Sequence, residues 1–150
     1  MKRTLSIPEW HALAEEGTAL PVRITLMGSS MFPLVRFNKD YVTIMPVTEK
    51  PQPGDIVLFP DHVRDLYVVH RVWRIEDGRV QTWGDNCPGP DEWVPLDDVW
   101  GKTVLIERGN RVIYPNPAKG LRWAKFWHQA GKGYRVYRKY KDRYNERFKK

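Results

Sequence analysis

The chain has 150 residues, 41% of them hydrophobic and 13% aromatic, a globular composition long enough to bury a single core. Its formal charge of +7 is unevenly laid: residues 117–150 carry 12 Lys and Arg against 2 Asp and Glu, whereas the first 116 carry 13 against 16. The single cysteine, Cys87, excludes an internal disulfide and a cysteine-based zinc site, and no window holds the ~20 apolar residues of a membrane-spanning helix.

The first predicted element is a helix in "SIPEWHALAEEG". Ser6 caps it, Pro8 suits an early helical position, Gly17 stops it, and Trp10, Leu13 and Ala14 share its buried face. The start "MKRTLSIPEW" lacks the apolar stretch of a secretion signal, so a soluble, cytoplasmic protein is expected. From Pro21 to Gly109 the pattern changes to short β-branched and aromatic runs: "VRITLM", "DYVTIMPV", "GDIVLFP", "LYVVHRVWRI", "GRVQTWG" and "WGKTVLIERG". Between them, "RFNKD", "KPQPGD" and "IEDGRV" carry the Asn, Gly, Asp and Pro of tight reversals. Strands at this spacing predict a mostly β fold, an antiparallel barrel or sandwich.

After "YPNPAKG" the pattern is helical. Pro117 follows an Asn cap, and Leu121, Ala124 and Trp127 or Phe126 recur at helical spacing until Gly131 and Gly133 interrupt. Tyr134, Tyr137, Tyr140 or Lys141, Tyr144 and Phe148 then align on one face opposite a cationic one.

The chemistry centres on "MGSSMFP". A serine hydroxyl is a poor nucleophile until a base takes its proton, and histidine has a suitable pKa. His70 lies inside the apolar strand "LYVVHRVWRI", where a polar side chain needs a reason. Asp85 in "WGDNCPGPDEW" and Asp91 six residues later are carboxylates that can fix an imidazole. A satisfied core histidine and a hairpin-turn aspartate remain the alternatives for residues of these types in these places.

Together the segments resemble a family. Ser30-Met31-Phe32-Pro33 resembles the Ser-Met-x-Pro box of type I signal peptidases, and Gly28 before it is similar to the Gly-x-Ser-Met form in LexA-type self-cleaving proteases. "PQPGDIVLF", "VVHRVW", "WGDNCPGPD" and "VWGKTVLI" resemble the other boxes of that superfamily, in order, over about residues 21 to 107. His70-Arg71 is similar to the archaeal and endoplasmic-reticulum branch, which carries histidine where other branches have lysine.

The resemblance implies a signal-peptidase-like coiled antiparallel β barrel over residues 1–116, followed by a basic helical tail over 117–150. It implies Ser30 as nucleophile, His70 as general base, Asp91 or Asp85 as the group orienting the imidazole, and Ser29 with the Ser30 amide as oxyanion donors. An extended peptide would pair along "VRITLM", so that Ile24, Leu26, Met27, Met31 and Pro33 contact it and a small residue precedes the cut. No metal or cofactor is implied. Gly28 stands where many signal peptidases carry a serine two positions before the nucleophile, and residues 1–29 hold no Ala-Gly or Cys-Gly pair for self-cleavage.

Two other readings accompany the endopeptidase: a cytoplasmic LexA-like regulatory or peptide-maturation protease, and a non-enzymatic β module whose tail binds nucleic acid or protein. The tail itself is read either as folding back over the body or as an amphipathic surface for a membrane or a partner protein, in preference to nucleic acid.

Overall fold

The computed structural model describes residues 5–148. Helix α1 (Ile7–Glu15) begins with a capping box: Ser6 Oγ accepts from the Glu9 amide, and the Glu9 carboxylate accepts from the Ser6 amide. Trp10 is its only buried residue, 2% exposed, and Ile7, His11 and Ala14 share that side. Leu13, expected there, is exposed, because a stripe through Ile7, Trp10 and Ala14 turns position 13 outward.

The strands are β1 (Val22–Thr25), β2 (Tyr41–Pro46), β3 (Ile56–Asp61), β4 (Leu66–Glu76), β5 (Arg79–Trp83), β6 (Val94–Pro95), β7 (Gly101–Arg108) and β8 (Arg111–Ile113). The sheet is wholly antiparallel, in the order β1-β2-β7-β3-β4-β5-β6 with β8 on β7. Its end strands β1 and β6 do not pair with each other among the described residues, so the sheet does not close as the expected barrel would. What stands is a mostly antiparallel β fold with short helices. The two-residue β6 and three-residue β8 carry no sequence signal, being too short to show alternation.

The β4–β5 reversal uses Asp77 and Gly78, both at positive φ (50° and 73°), the geometry of the favoured two-residue hairpin turn. β3 is buried on both faces and separates two apolar clusters. Ile56 and Leu58 join Trp10, Met31, Ile44 and Ile106 on one side, while Val57 and Phe59 join Val68, Val72 and Val80 on the other.

Helix α2 (Pro117–Gln129) is capped by Asn116, whose side chain accepts from the Lys119 amide at 3.0 Å. It packs through Ala124, with Trp127 half-buried and Phe126 exposed, which decides between the two aromatics. His128 stacks on Trp83 at 3.9 Å, which ties α2 to the β4–β5 hairpin. Helix α3 (Lys132–Phe148) starts immediately after Gly131, at φ 65°, and includes Gly133, so only the first of the two expected glycine breaks occurs. The side chains of Tyr134 and Phe148 lie outside the described residues. No described helix is long and apolar enough to cross a membrane.

Candidate active site

β4 brings the chemistry together because successive side chains of a strand point to opposite faces. His70 and Arg71 are adjacent, both buried, and each takes one of the two aspartates. His70 Nδ1 lies 2.5 Å from Asp91 Oδ2. The Thr82 hydroxyl donates to the same oxygen at 2.7 Å, and the Asp91 amide donates to the Thr82 carbonyl at 2.8 Å, so β5 holds the carboxylate in place. On the other face, Arg71 donates through Nε and Nη2 to the two oxygens of Asp85, both at 2.8 Å, and through Nη1 to the Gly54 carbonyl at 3.1 Å. Asp85 is fully buried and is spent on this pair; of the two aspartates offered for the imidazole, Asp91 is the one that touches it.

Burial opposes a charge on His70, but its hydrogen bond to the Asp91 carboxylate, helped by the nearby Cys87 sulfur, outweighs it and raises the imidazole to about 9. For Asp91, burial pushes the carboxyl up, and the bonds from His70 and Thr82 more than reverse this, holding it below its ordinary value. Asp91 is therefore a carboxylate, and Nδ1 is the donor between them.

Ser30 sits in the turn after β1, and two anchors hold that segment. On one side, the Asn86 amide donates to the Ser30 carbonyl at 2.8 Å and its side-chain nitrogen to the Ser29 carbonyl at 3.0 Å. On the other, Arg108 donates to the carbonyls of Pro33 and Leu34 at 2.7 and 2.8 Å and, with Arg36, binds the fully buried Asp40. The amides of Ser29 and Ser30 have no backbone acceptor among the described residues.

The two halves meet at Gly84. A Cβ there would lie 2.6 Å from Cys87 Sγ, 2.8 Å from the Ser30 carbonyl and 3.0 Å from His70 Nε2, so only glycine lets the chain leaving β5 pass this close. A cleft of about 1030 Å³ opens at this point, lined by Ser29, Ser30, His70, Cys87 and Asp91 and, from the β1 side, by Ile24, Leu26 and Met27.

Two expected peptide contacts lie away from the cleft lining. Met31 is fully buried in the core cluster with Trp10 and Ile44, the outcome of a turn that folds its side chain inward, and Pro33 does not line the cleft. Among the described residues no hydrogen bond joins the Ser30 hydroxyl to His70, and the Cys87 sulfur borders the same point at Gly84 as His70 Nε2. No group of three or more His, Cys, Asp and Glu among the described residues is arranged to hold a metal ion.

Sequence reasoning missed Asn86, Cys87, Thr82 and Arg71 as parts of the site. Asn86 and Cys87 stand within "WGDNCPGPD", and Arg71 and Thr82 follow from strand alternation once the partners of His70 are known. No protein-family model matches the chain, and comparison with curated proteins finds no significant match. Geometry and chemistry therefore carry the functional argument.

Proposed function

We propose that the protein is a signal-peptidase-like serine endopeptidase with a coiled β catalytic domain, acting on an extended peptide through Ser30, His70 and Asp91. The supporting observation is the junction at Gly84, where the Ser30 main chain and His70 Nε2 approach one point while Asp91 holds the other imidazole nitrogen. In this mechanism neutral His70 accepts the Ser30 proton at Nε2 as the oxygen attacks the peptide carbonyl. The tetrahedral oxyanion takes hydrogen bonds from the amides of Ser29 and Ser30, and Asp91 stabilises the imidazolium. The proton then passes from Nε2 to the departing amine, leaving an acyl-enzyme that water hydrolyses by the same route.

Substrate backbone would pair with β1, which is an end strand with one free edge beside the cleft. Asp85 belongs to the scaffold in this scheme, because its pair with Arg71 lies on the face of β4 opposite to His70, Thr82 and Asp91.

One observation favours a second reading, in which Cys87 is the nucleophile: its sulfur borders the same point at Gly84 as His70 Nε2, while Asp91 holds the other imidazole nitrogen. Intact-mass measurement with an electrophilic peptide separates the two. The serine mechanism predicts one adduct on Ser30, lost in Ser30→Ala and His70→Ala and retained in Cys87→Ser. An adduct lost in Cys87→Ser but retained in Ser30→Ala would replace it with the thiol mechanism.

A further inference from the structure

The roof of the cleft is α3, which the catalytic arrangement leaves without a role. Its Tyr140 ring lies 4.6 Å from Phe32 and its Tyr144 ring 5.4 Å from Phe37, so this face of the helix rests on the loop just past Ser30. Lys141, Arg143 and Arg147 line the same cleft from α3, and Lys39 lines it from the body.

The charge balance inside the cleft is one-sided. Among its cations, Arg36 is bound by Asp40 and Arg64 by Asp61. No carboxylate pairs with Lys39, Lys141, Arg143 or Arg147 among the described residues. Among the described residues the only carboxylate lining the cleft is Asp91, and His70 already holds it. Lys141 and Arg143 also lie over the Tyr137 and Tyr140 rings, at 5.6 and 6.0 Å, which leaves their charge uncompensated; several such cations around a concave, partly apolar space focus a positive field on whatever enters it.

Resting on the endopeptidase reading, we propose that the cleft selects an extended peptide bearing acidic side chains on the stretch that passes beneath α3, where Lys141, Arg143 and Arg147 receive them with Lys39 opposite. The apolar wall of Ile24, Leu26 and Met27 takes the alternate side chains of the same peptide, since a strand presents its residues to two sides in turn. A membrane surface fits these residues less well. The cations face a concavity, and Tyr140 and Tyr144 are engaged with Phe32 and Phe37 rather than presented for insertion among lipids.

The test uses the full chain carrying Ser30→Ala, so that binding is read without turnover. Fluorescence anisotropy compares an extended peptide with several Asp and Glu residues flanking a central Ala against the same peptide with Asn and Gln in their place. The acidic peptide is expected to bind at least about tenfold more tightly at about 0.05 M salt and to lose most of that advantage at about 0.5 M. Adding Lys141→Gln, Arg143→Gln and Arg147→Gln together should abolish the preference while circular dichroism stays unchanged.

Equal affinity for the two peptides overturns the proposal, as does a preference that survives in the triple variant. Tight binding of anionic phosphatidylglycerol vesicles that the triple variant loses, without any peptide preference, would assign the patch to membranes instead. A separate incubation of the unsubstituted chain with the preferred peptide reads hydrolysis: binding preference without cleavage would remove the endopeptidase reading and keep the acidic-peptide site.

Discussion

An aspartate whose two oxygens are both taken by one guanidinium inside the protein cannot be neutralised without stranding the cation, and this separates Asp85 from Asp91. The side chain of Arg71 is 3% exposed and that of Asp85 fully buried. Breaking such a pair from one side costs about 3 to 5 kcal/mol. Asp85→Asn is therefore expected to lower the unfolding free energy by that order in denaturant titration, with any activity loss following the loss of folded protein. Measured above pH 9, where His70 is neutral and the charged pair no longer contributes, Asp91→Asn should unfold at nearly the parent denaturant concentration yet reduce kcat by about 10³ to 10⁴, because the imidazole loses the partner that fixes its tautomer. Equal destabilisation by the two substitutions would contradict these separate roles. The sequence offered both aspartates for the histidine without deciding between them. Alternation along "VVHRVW" already requires His70 and Arg71 to leave on opposite faces, but which loop residue waits on each face depends on the path of residues 84–91 across β5, a tertiary property.

At the scale of elements, most of the sheet was legible because its strands are long, β-branched and separated by turn residues with a defined backbone requirement, as at Asp77-Gly78. The helices were legible for a similar reason: Ser6 and Asn116 cap them through their own side chains. What the sequence could not show was where α3 lies, since a stripe of tyrosines reads alike whether it meets lipid, a partner or the body. Its rings lie against Phe32 and Phe37, contacts worth about 0.5 to 1.5 kcal/mol each beyond simple burial. Replacing Tyr140 and Tyr144 together by Ala is expected to weaken the docking of α3 by about 1 to 2 kcal/mol and speed trypsin cleavage within residues 132–148 by about 5- to 30-fold. Mass spectrometry of the digest should show the body uncut over the same interval. Unchanged cleavage within α3 would mean that these rings do not hold the roof.

For the whole molecule, the raised pKa of His70 links folding, charge and catalysis to one proton. Its folded value, about 9, exceeds the ordinary 6.5. The charged pair with Asp91 therefore stabilises the fold fully below pH 6.5, and that contribution, of order 3 kcal/mol, fades as pH rises through 9. Activity should move the opposite way, because only the neutral imidazole accepts a proton: kcat/KM is expected to climb about tenfold per pH unit before levelling near pH 9. Cys87→Ala removes one of the contacts that raise the value and should shift the limb of this profile to lower pH. A stability maximum that coincides with the activity maximum would be inconsistent with this linkage. Recording melting temperature and initial rate across the same buffers checks both slopes at once.

The adjacency of His70 and Arg71 also limits how the chain can change length. Sliding β4 by a single residue against β3 and β5 would turn the guanidinium toward the cleft and the imidazole toward Asp85, exchanging the two charge partners rather than merely loosening them. Insertions in the reversal between β3 and β4, residues 62–65, are harmless only if the loop absorbs them. In the two-residue turn at Asp77-Gly78 there is no slack to absorb one. Length variation in a working protein of this fold should therefore collect at the first turn and be absent from the second, a pattern set by strand parity and not by distance from the cleft.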